Sequence, residues 1–163
     1  METQSAPRLI LTPLFKTGRI ELDLHGSSRD AVLEELVGKI AELANQPSAK
    51  NTLLRALQDR EQLCSTGIGD GIALPHCRNA LVGLVEEPVV VFGRHNQGVA
   101  FGSVDNSPAR LFFLLVAPNV SQHLQILGRL SRLLRDPKLR KALLAADKPE
   151  KVQTLIKDTE SKM

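Results

Sequence analysis

Residues 111–117 read Leu-Phe-Phe-Leu-Leu-Val-Ala, seven apolar side chains without a break. A half-buried strand alternates apolar and polar residues, whereas this run is apolar on both sides. It therefore predicts a strand at the centre of a sheet, covered on both faces. A second such run, Pro88-Val89-Val90-Val91-Phe92-Gly93, predicts its partner. Around these two, residues 20–24 (Ile-Glu-Leu-Asp-Leu) alternate as a half-buried strand should, and His95-Asn96-Gln97-Gly98 predicts a turn leading to a short strand near residues 99–101.

Helical spacing fills most of the remainder. Leu33, Leu36, Val37, Ile40, Leu43 and Ala44 recur every three or four residues, behind Ser27 or Ser28 as a cap. Further helices are expected over 48–58, over 121–135, from Asp136-Pro137 onward as an N-cap followed by proline at the first helical position, and over 149–157. With 163 residues, 42% hydrophobic and 24% charged, and with no repeat or linker, the chain reads as one α/β domain. Residues 1–8 are expected to be a flexible N-terminus, 9–157 the domain, and 158–163 a C-terminal tail.

Composition removes several function classes. The chain has no Trp and no Tyr, so it offers few platforms for stacking bases, and its net charge of +3 is spread among acids. Nucleic acid is not the expected partner. No segment has the length and apolarity of a membrane span or the layout of a secretory signal, and two cysteines make no disulfide framework. The expectation is a cytoplasmic protein with reduced thiols. Cys64 and Cys77 lack metal-ligand spacing, so neither a metal nor a cofactor is expected.

Chemistry concentrates in Thr66-Gly67-Ile68-Gly69-Asp70-Gly71-Ile72-Ala73-Leu74-Pro75-His76-Cys77-Arg78. The glycines fit neither a P-loop, which needs Lys-Ser/Thr after its last glycine, nor a dinucleotide fingerprint. Two readings stay open on local grounds: a pair of tight turns, or a loop whose N–H groups cradle an anion. Pro75 stiffens the backbone entering His76, which suits an imidazole held for acid, base or nucleophilic work. His123 falls in the first turn of a helix, on one stripe with Leu127, Leu130 and Leu134, so it should face the sheet. Arg60 is either a solvated helix-end charge or a fork for phosphate oxygens. His25 and His95 sit in polar turns and read as surface residues, and Cys77 should point away from His76 on an extended backbone.

Arg60-Glu61 followed by Ser65 to His76, then Asp105-Asn106-Ser107-Pro108, LFFLLVAP, and His123-Leu124-Gln125 opening a helix that ends at Asp136, resembles the enzyme IIA domains of the phosphoenolpyruvate-dependent phosphotransferase system, fructose/mannitol class. The similarity extends over nearly the whole chain. It implies a single domain with a mixed central sheet flanked by helices on both faces. It also implies that His76 accepts a phosphoryl group from an HPr-like histidine phosphocarrier protein. His123 would be the second active-site histidine and Arg60 the phosphate-contacting arginine, with Thr66, Gly67, Gly69 and Gly71 as the phosphate-binding loop. Cys64 and Cys77 stand where such domains usually carry small residues. The resemblance favours a nitrogen-related regulator that binds target proteins. A sugar-specific IIA passing phosphate to a separate IIB cysteine, and a binding module without turnover, are the alternatives.

Overall fold

A computed structural model describes residues 9–77 and 83–163. The two apolar runs form the longest strands, β4 (Val89–Val99) and β5 (Ala109–Val116), which pair antiparallel from Val89↔Val116 to Val99↔Ala109. Among the described residues three short strands complete the sheet: β1 (Ile20–Glu21), β2 (Gly67–Gly69) and β3 (Ile72–Ala73). Its order is β1-β4-β5-β3-β2, with β1 parallel to β4, β3 parallel to β5, and β2 antiparallel to β3. The sheet is mixed, as expected.

Both faces of the sheet are covered, which is why its central strands carry no polar alternation. Leu111, Phe113 and Leu115 join Val90 and Phe92 under α3 (Val120–Leu133), α4 (Pro137–Ala145) and α5 (Pro149–Ser161). Phe112, Leu114 and Val116 join Val89 and Val91 under α1 (Arg29–Val37) and α2 (Pro47–Leu63). Neighbouring side chains of one strand thus fill two different cores. Each fully buried Leu or Phe contributes about 1.5–3 kcal/mol relative to exposure.

Caps set the helix starts. Ser28 accepts from Ala31 N–H at the head of α1, Asn119 from Gln122 N–H at α3, and Asp136 from Lys138 N–H at α4, with Pro137 in the first turn. Other boundaries differ from the sequence expectation. The helix expected to carry Leu33 through Ala44 breaks after Val37, because Ile40 is extended (φ −84°, ψ 98°), and resumes as a short 3-10 turn over Ala41–Leu43. α2 runs five residues beyond Gln58, to Leu63, which brings Arg60 and Glu61 into its last turn. The expected turn at 95–98 is instead part of β4, which stays paired to β5 across an irregularity between Arg94 and Val99. His95, expected at the surface, is buried: Gly98 N–H donates to its Nδ1 at 3.0 Å, and its Nε2–H donates to Gly26 O at 2.9 Å. His25 is exposed, as expected.

The C-terminal residues belong to the fold. α5 continues to Ser161, where a tail was expected from residue 158. The reason is Glu160, whose buried carboxylate accepts from Leu11 N–H (2.7 Å), Thr12 N–H (2.9 Å), Thr12 Oγ1–H (2.6 Å) and Arg129 Nε–H (2.8 Å). One side chain joins the N-terminal turn, α3 and α5. Glu160→Ala leaves those donors unpaired, so it should lower stability by about 3 kcal/mol. The check is a drop in urea midpoint at unchanged slope.

Candidate active site

His76 occupies the end of the short parallel pairing between β3 and β5. Ile72 lies beside Leu111 and Ala73 beside Phe112, and an isolated parallel bridge sets His76 beside Leu115. Leu115 N–H donates to Pro75 O at 2.9 Å, which fixes the backbone directly before the histidine. The chain then leaves β5 through Ala117 and Pro118 and enters α3 at Asn119. Consequently the N-terminus of α3 and the side chain of His123 stand over the same strand ends. The imidazoles of His76 and His123 have centroids 5.5 Å apart and planes inclined at 55°. Such crevices at the carboxyl ends of parallel strands are the usual ligand sites of open α/β sheets.

The tautomer of His76 follows from its partner. Its Nδ1 lies 2.5 Å from Leu74 O. A carbonyl only accepts, so Nδ1 carries the hydrogen and the lone pair resides on Nε2. The ring also stays neutral near pH 7. Burial holds its pKa below the ordinary 6.5; the Leu74 hydrogen bond opposes this, while the charge of Arg60 and the proximity of His123 reinforce it. His123, itself buried, is likewise held below 6.5 by desolvation. Both rings are therefore neutral beside the positive end of α3, an environment that welcomes an anion and disfavours further cations.

Arg60 lies in the last turn of α2, where its Nη1–H donates to Cys64 O, and its guanidinium is near enough to His76 to depress that ring's basicity. The remaining guanidinium N–H groups can serve an anion. Cys77 turns the opposite way from His76, into the core beneath α1 and α2, and burial pushes its thiol up to about 12. Its thiolate is thus disfavoured beside the site. Cys64 is exposed.

The expected phosphate-binding loop does not come together around His76. β2 and β3 form a hairpin, and its tip is Gly69-Asp70-Gly71 with φ of 91°, 55° and 77°. Gly71 O accepts from Arg110 and Leu111 N–H, four to five residues along β5 from Leu115, so Gly69 and Gly71 lie about 15 Å from His76. The glycines instead admit the protein's own chain. A Cβ on Gly67 would run into Ser103 Oγ, and one on Gly69 would crowd Asp105 Oδ2 at 3.0 Å. Asp105 accepts from Ser107 Oγ–H, from Asp70 N–H at the tip and from Ser107 N–H, and these bonds draw its carboxyl down to about 2. Gly67 N–H is occupied by Ser65 Oγ at 2.9 Å. Only Thr66 lies toward the His76 end of the hairpin, its carbonyl accepting from Leu74 N–H at 3.0 Å.

One side chain beside the site was given no role by sequence reasoning. Glu61 is 4% exposed and accepts from Thr66 N–H at 2.9 Å and from Thr66 Oγ1–H. Burial raises its pKa above 4.5, against the opposing effects of Thr66, Arg29 and Arg60. The available signal was the placement of Glu61 between Arg60 and the glycine-rich stretch. Arg78 falls outside the described residues. Among the described residues, no three His, Cys, Asp or Glu side chains converge as a metal site, and no helix is long and apolar enough to cross a membrane.

Acid should destabilise the fold through the two site histidines. Their folded pKa values lie below the ordinary 6.5, so the stability they contribute is complete above that pH and is lost as pH falls through their folded values. Side-chain NMR titration should place both midpoints below 6.5.

Comparison with known proteins identifies the family. The family model described as "Phosphoenolpyruvate-dependent sugar phosphotransferase system, EIIA 2" matches residues 13–159. The fructose-specific EIIABC component of Bacillus subtilis is 34% identical over 148 residues, covering 90% of this chain but 23% of that much longer protein. A nitrogen regulatory protein of Bradyrhizobium diazoefficiens is 33% identical over 148 residues, covering 90% of this chain and 94% of its own. Among solved structures, the nitrogen regulatory protein IIA-Ntr of Neisseria meningitidis superposes with a TM-score of 0.78 at 28% identity, covering 90% and 98% of the two chains. With its mixed five-stranded sheet and its match over 13–159, the chain belongs to the EIIA 2 family of the phosphoenolpyruvate-dependent phosphotransferase system.

Proposed function

We propose that this protein accepts a phosphoryl group on Nε2 of His76 from the phosphohistidine of an HPr-like carrier protein. The observation that carries the reading is the Nδ1–H bond from His76 to Leu74 O, which leaves Nε2 as the free nucleophile. The Nε2 lone pair forms the new N–P bond while the donor's N–P bond breaks, and its electron pair returns to the donor imidazole. His76 gains positive charge as the bond forms, and the Leu74 carbonyl stabilises it through the retained Nδ1–H. Arg60 and the α3 N-terminus meet the negative charge on the phosphoryl oxygens, with His123 as a neutral ring that can donate to them. The chemistry asks for positioning and charge stabilisation.

A surface for a protein donor adjoins these groups. Val120 and Leu124, one turn apart on α3 around His123, are each 61% exposed. Large exposed apolar side chains beside a polar reactive centre suit a transient protein interface. Nothing in this reading requires a metal, a nucleotide or a nucleic acid.

Of the two branches, the nitrogen-related regulatory one is favoured. In support, a nitrogen regulatory protein of Bradyrhizobium and the IIA-Ntr of Neisseria are among the similar proteins, although near-full-length similarity extends equally to a fructose-specific EIIA component. On this reading the phosphorylation state of His76 governs binding to target proteins. The sugar-specific alternative passes the group to a IIB cysteine.

Incubation with phosphoenolpyruvate, enzyme I and the carrier should add one phosphoryl group by intact mass, and His76→Ala should abolish the gain. Arg60→Ala and His123→Ala should each slow acceptance by about 100-fold, the scale seen when one charge-stabilising donor is removed. Val120→Asp should raise the carrier concentration needed without preventing phosphorylation at saturation. Rapid onward transfer to a fructose-type IIB would assign the protein to the sugar branch instead.

A further inference from the structure

We infer that Glu61 is a positioning residue for the phosphoryl acceptor, acting on His76 through Thr66 and Leu74. The inference rests on His76 being that acceptor. A carboxylate that is 4% exposed costs free energy to bury and is retained where its oxygens have work to do. Both oxygens of Glu61 are engaged by one residue: Oε2 accepts from Thr66 N–H at 2.9 Å and Oε1 accepts from Thr66 Oγ1–H. This grips Thr66 by its main chain and its side chain together.

The grip is passed on by the backbone. Thr66 O accepts from Leu74 N–H at 3.0 Å, and Leu74 O accepts from His76 Nδ1–H at 2.5 Å. Pro75 lies between Leu74 and His76 and has no N–H, so the register of Leu74 is set from the Thr66 side. On the far side of Pro75 the chain is anchored to β5 by the bond from Leu115 N–H to Pro75 O. The carbonyl that decides the His76 tautomer thus hangs between two anchors, β5 on one side and the Glu61–Thr66 clamp on the other. Loss of the clamp frees Leu74 O to tilt away. The imidazole hydrogen can then move to Nε2, where it occupies the lone pair that attacks phosphorus.

The test reads the ring directly. In the unphosphorylated protein, long-range proton–nitrogen NMR should find His76 in the Nδ1–H form. Glu61→Ala should move it toward a mixture with the Nε2–H form and slow phosphoryl acceptance by about 10- to 100-fold, the scale of a misplaced reactant. Glu61→Gln should restore most of both, because its Oε1 can accept from Thr66 N–H while its Nε2–H donates to Thr66 Oγ1. Thr66→Val, which removes only the hydroxyl, should act in the same direction more weakly. It keeps the question open to measurement if Glu61→Ala does not fold. Combining Thr66→Val with Glu61→Ala should add little to the latter.

A folded Glu61→Ala protein with His76 still fully in the Nδ1–H form overturns the inference, as do effects of the two substitutions that simply add. If the wild-type protein takes no phosphoryl group yet Glu61→Ala shifts the ring signature, the relay reading falls and the positioning of His76 by Glu61 stands.

Discussion

The site depends on a short parallel pairing, β3 against β5, prolonged by the single bridge from His76 to Leu115. Parallel pairing makes both strands finish at the same edge of the sheet. One strand delivers His76 there, and the other turns into α3 and delivers His123 and a helix N-terminus. Two imidazoles from positions far apart in sequence meet at a centroid distance of 5.5 Å because of that shared edge. An antiparallel β3 would place His76 at the opposite end of β5, away from α3. The strand direction, more than any local loop, makes the geometry of the candidate site.

The electrostatics of the edge follow from what the fold places around it. Desolvation and the Arg60 charge act in one direction on His76, toward the neutral ring, and desolvation does the same to His123. Neutral imidazole is the nucleophilic form, so the environment that disfavours protonation also suits the acceptor role proposed for His76. Glu61 experiences the reverse: burial raises its proton affinity, and ionising it in the fold works against stability as pH rises above 4.5. The fold therefore keeps a carboxylate behind the site at a stability cost that the hydrogen bonds from Thr66 and the charges of Arg29 and Arg60 only partly offset. Glu160 differs, since four donors including Arg129 surround it and its pKa lies below 4.5 despite burial. Two buried carboxylates in one small protein thus play different parts, one holding helices together and one standing behind a reactive histidine.

Much of the fold was legible because its signals are local. Val89–Phe92 and Leu111–Val116 lack polar residues since each strand is covered twice, and Asp136-Pro137 marks a helix start by capping chemistry alone. Boundaries that depend on tertiary contacts were not legible. His95-Asn96-Gln97-Gly98 has turn composition but continues a strand, because β5 supplies a partner for it and Gly26 O supplies one for the His95 ring. The same limit applies to the site. His76, His123 and Arg60 could be singled out by residue type and neighbours, and the structure brings all three to one edge. That Glu61 grips Thr66 depends on where α2 ends relative to β2, which no spacing rule gives.

The glycine-rich stretch illustrates how a motif can be informative for a reason other than the apparent one. Alternate glycines before a histidine suggest a cradle of N–H groups. In the structure Gly67 and Gly69 face Ser103 and Asp105, which a Cβ would crowd, and the turn beyond them lies at the far end of the hairpin from His76. Their lack of side chains lets the segment around 103–105 pack against β2, and the Asp105 carboxylate then holds the turn through Asp70 N–H. This packing fixes the hairpin, the hairpin fixes the register of Leu74 against Thr66, and Leu74 fixes the His76 tautomer. On the function proposed for His76, the glycines support it at a distance, through the hairpin that holds Leu74.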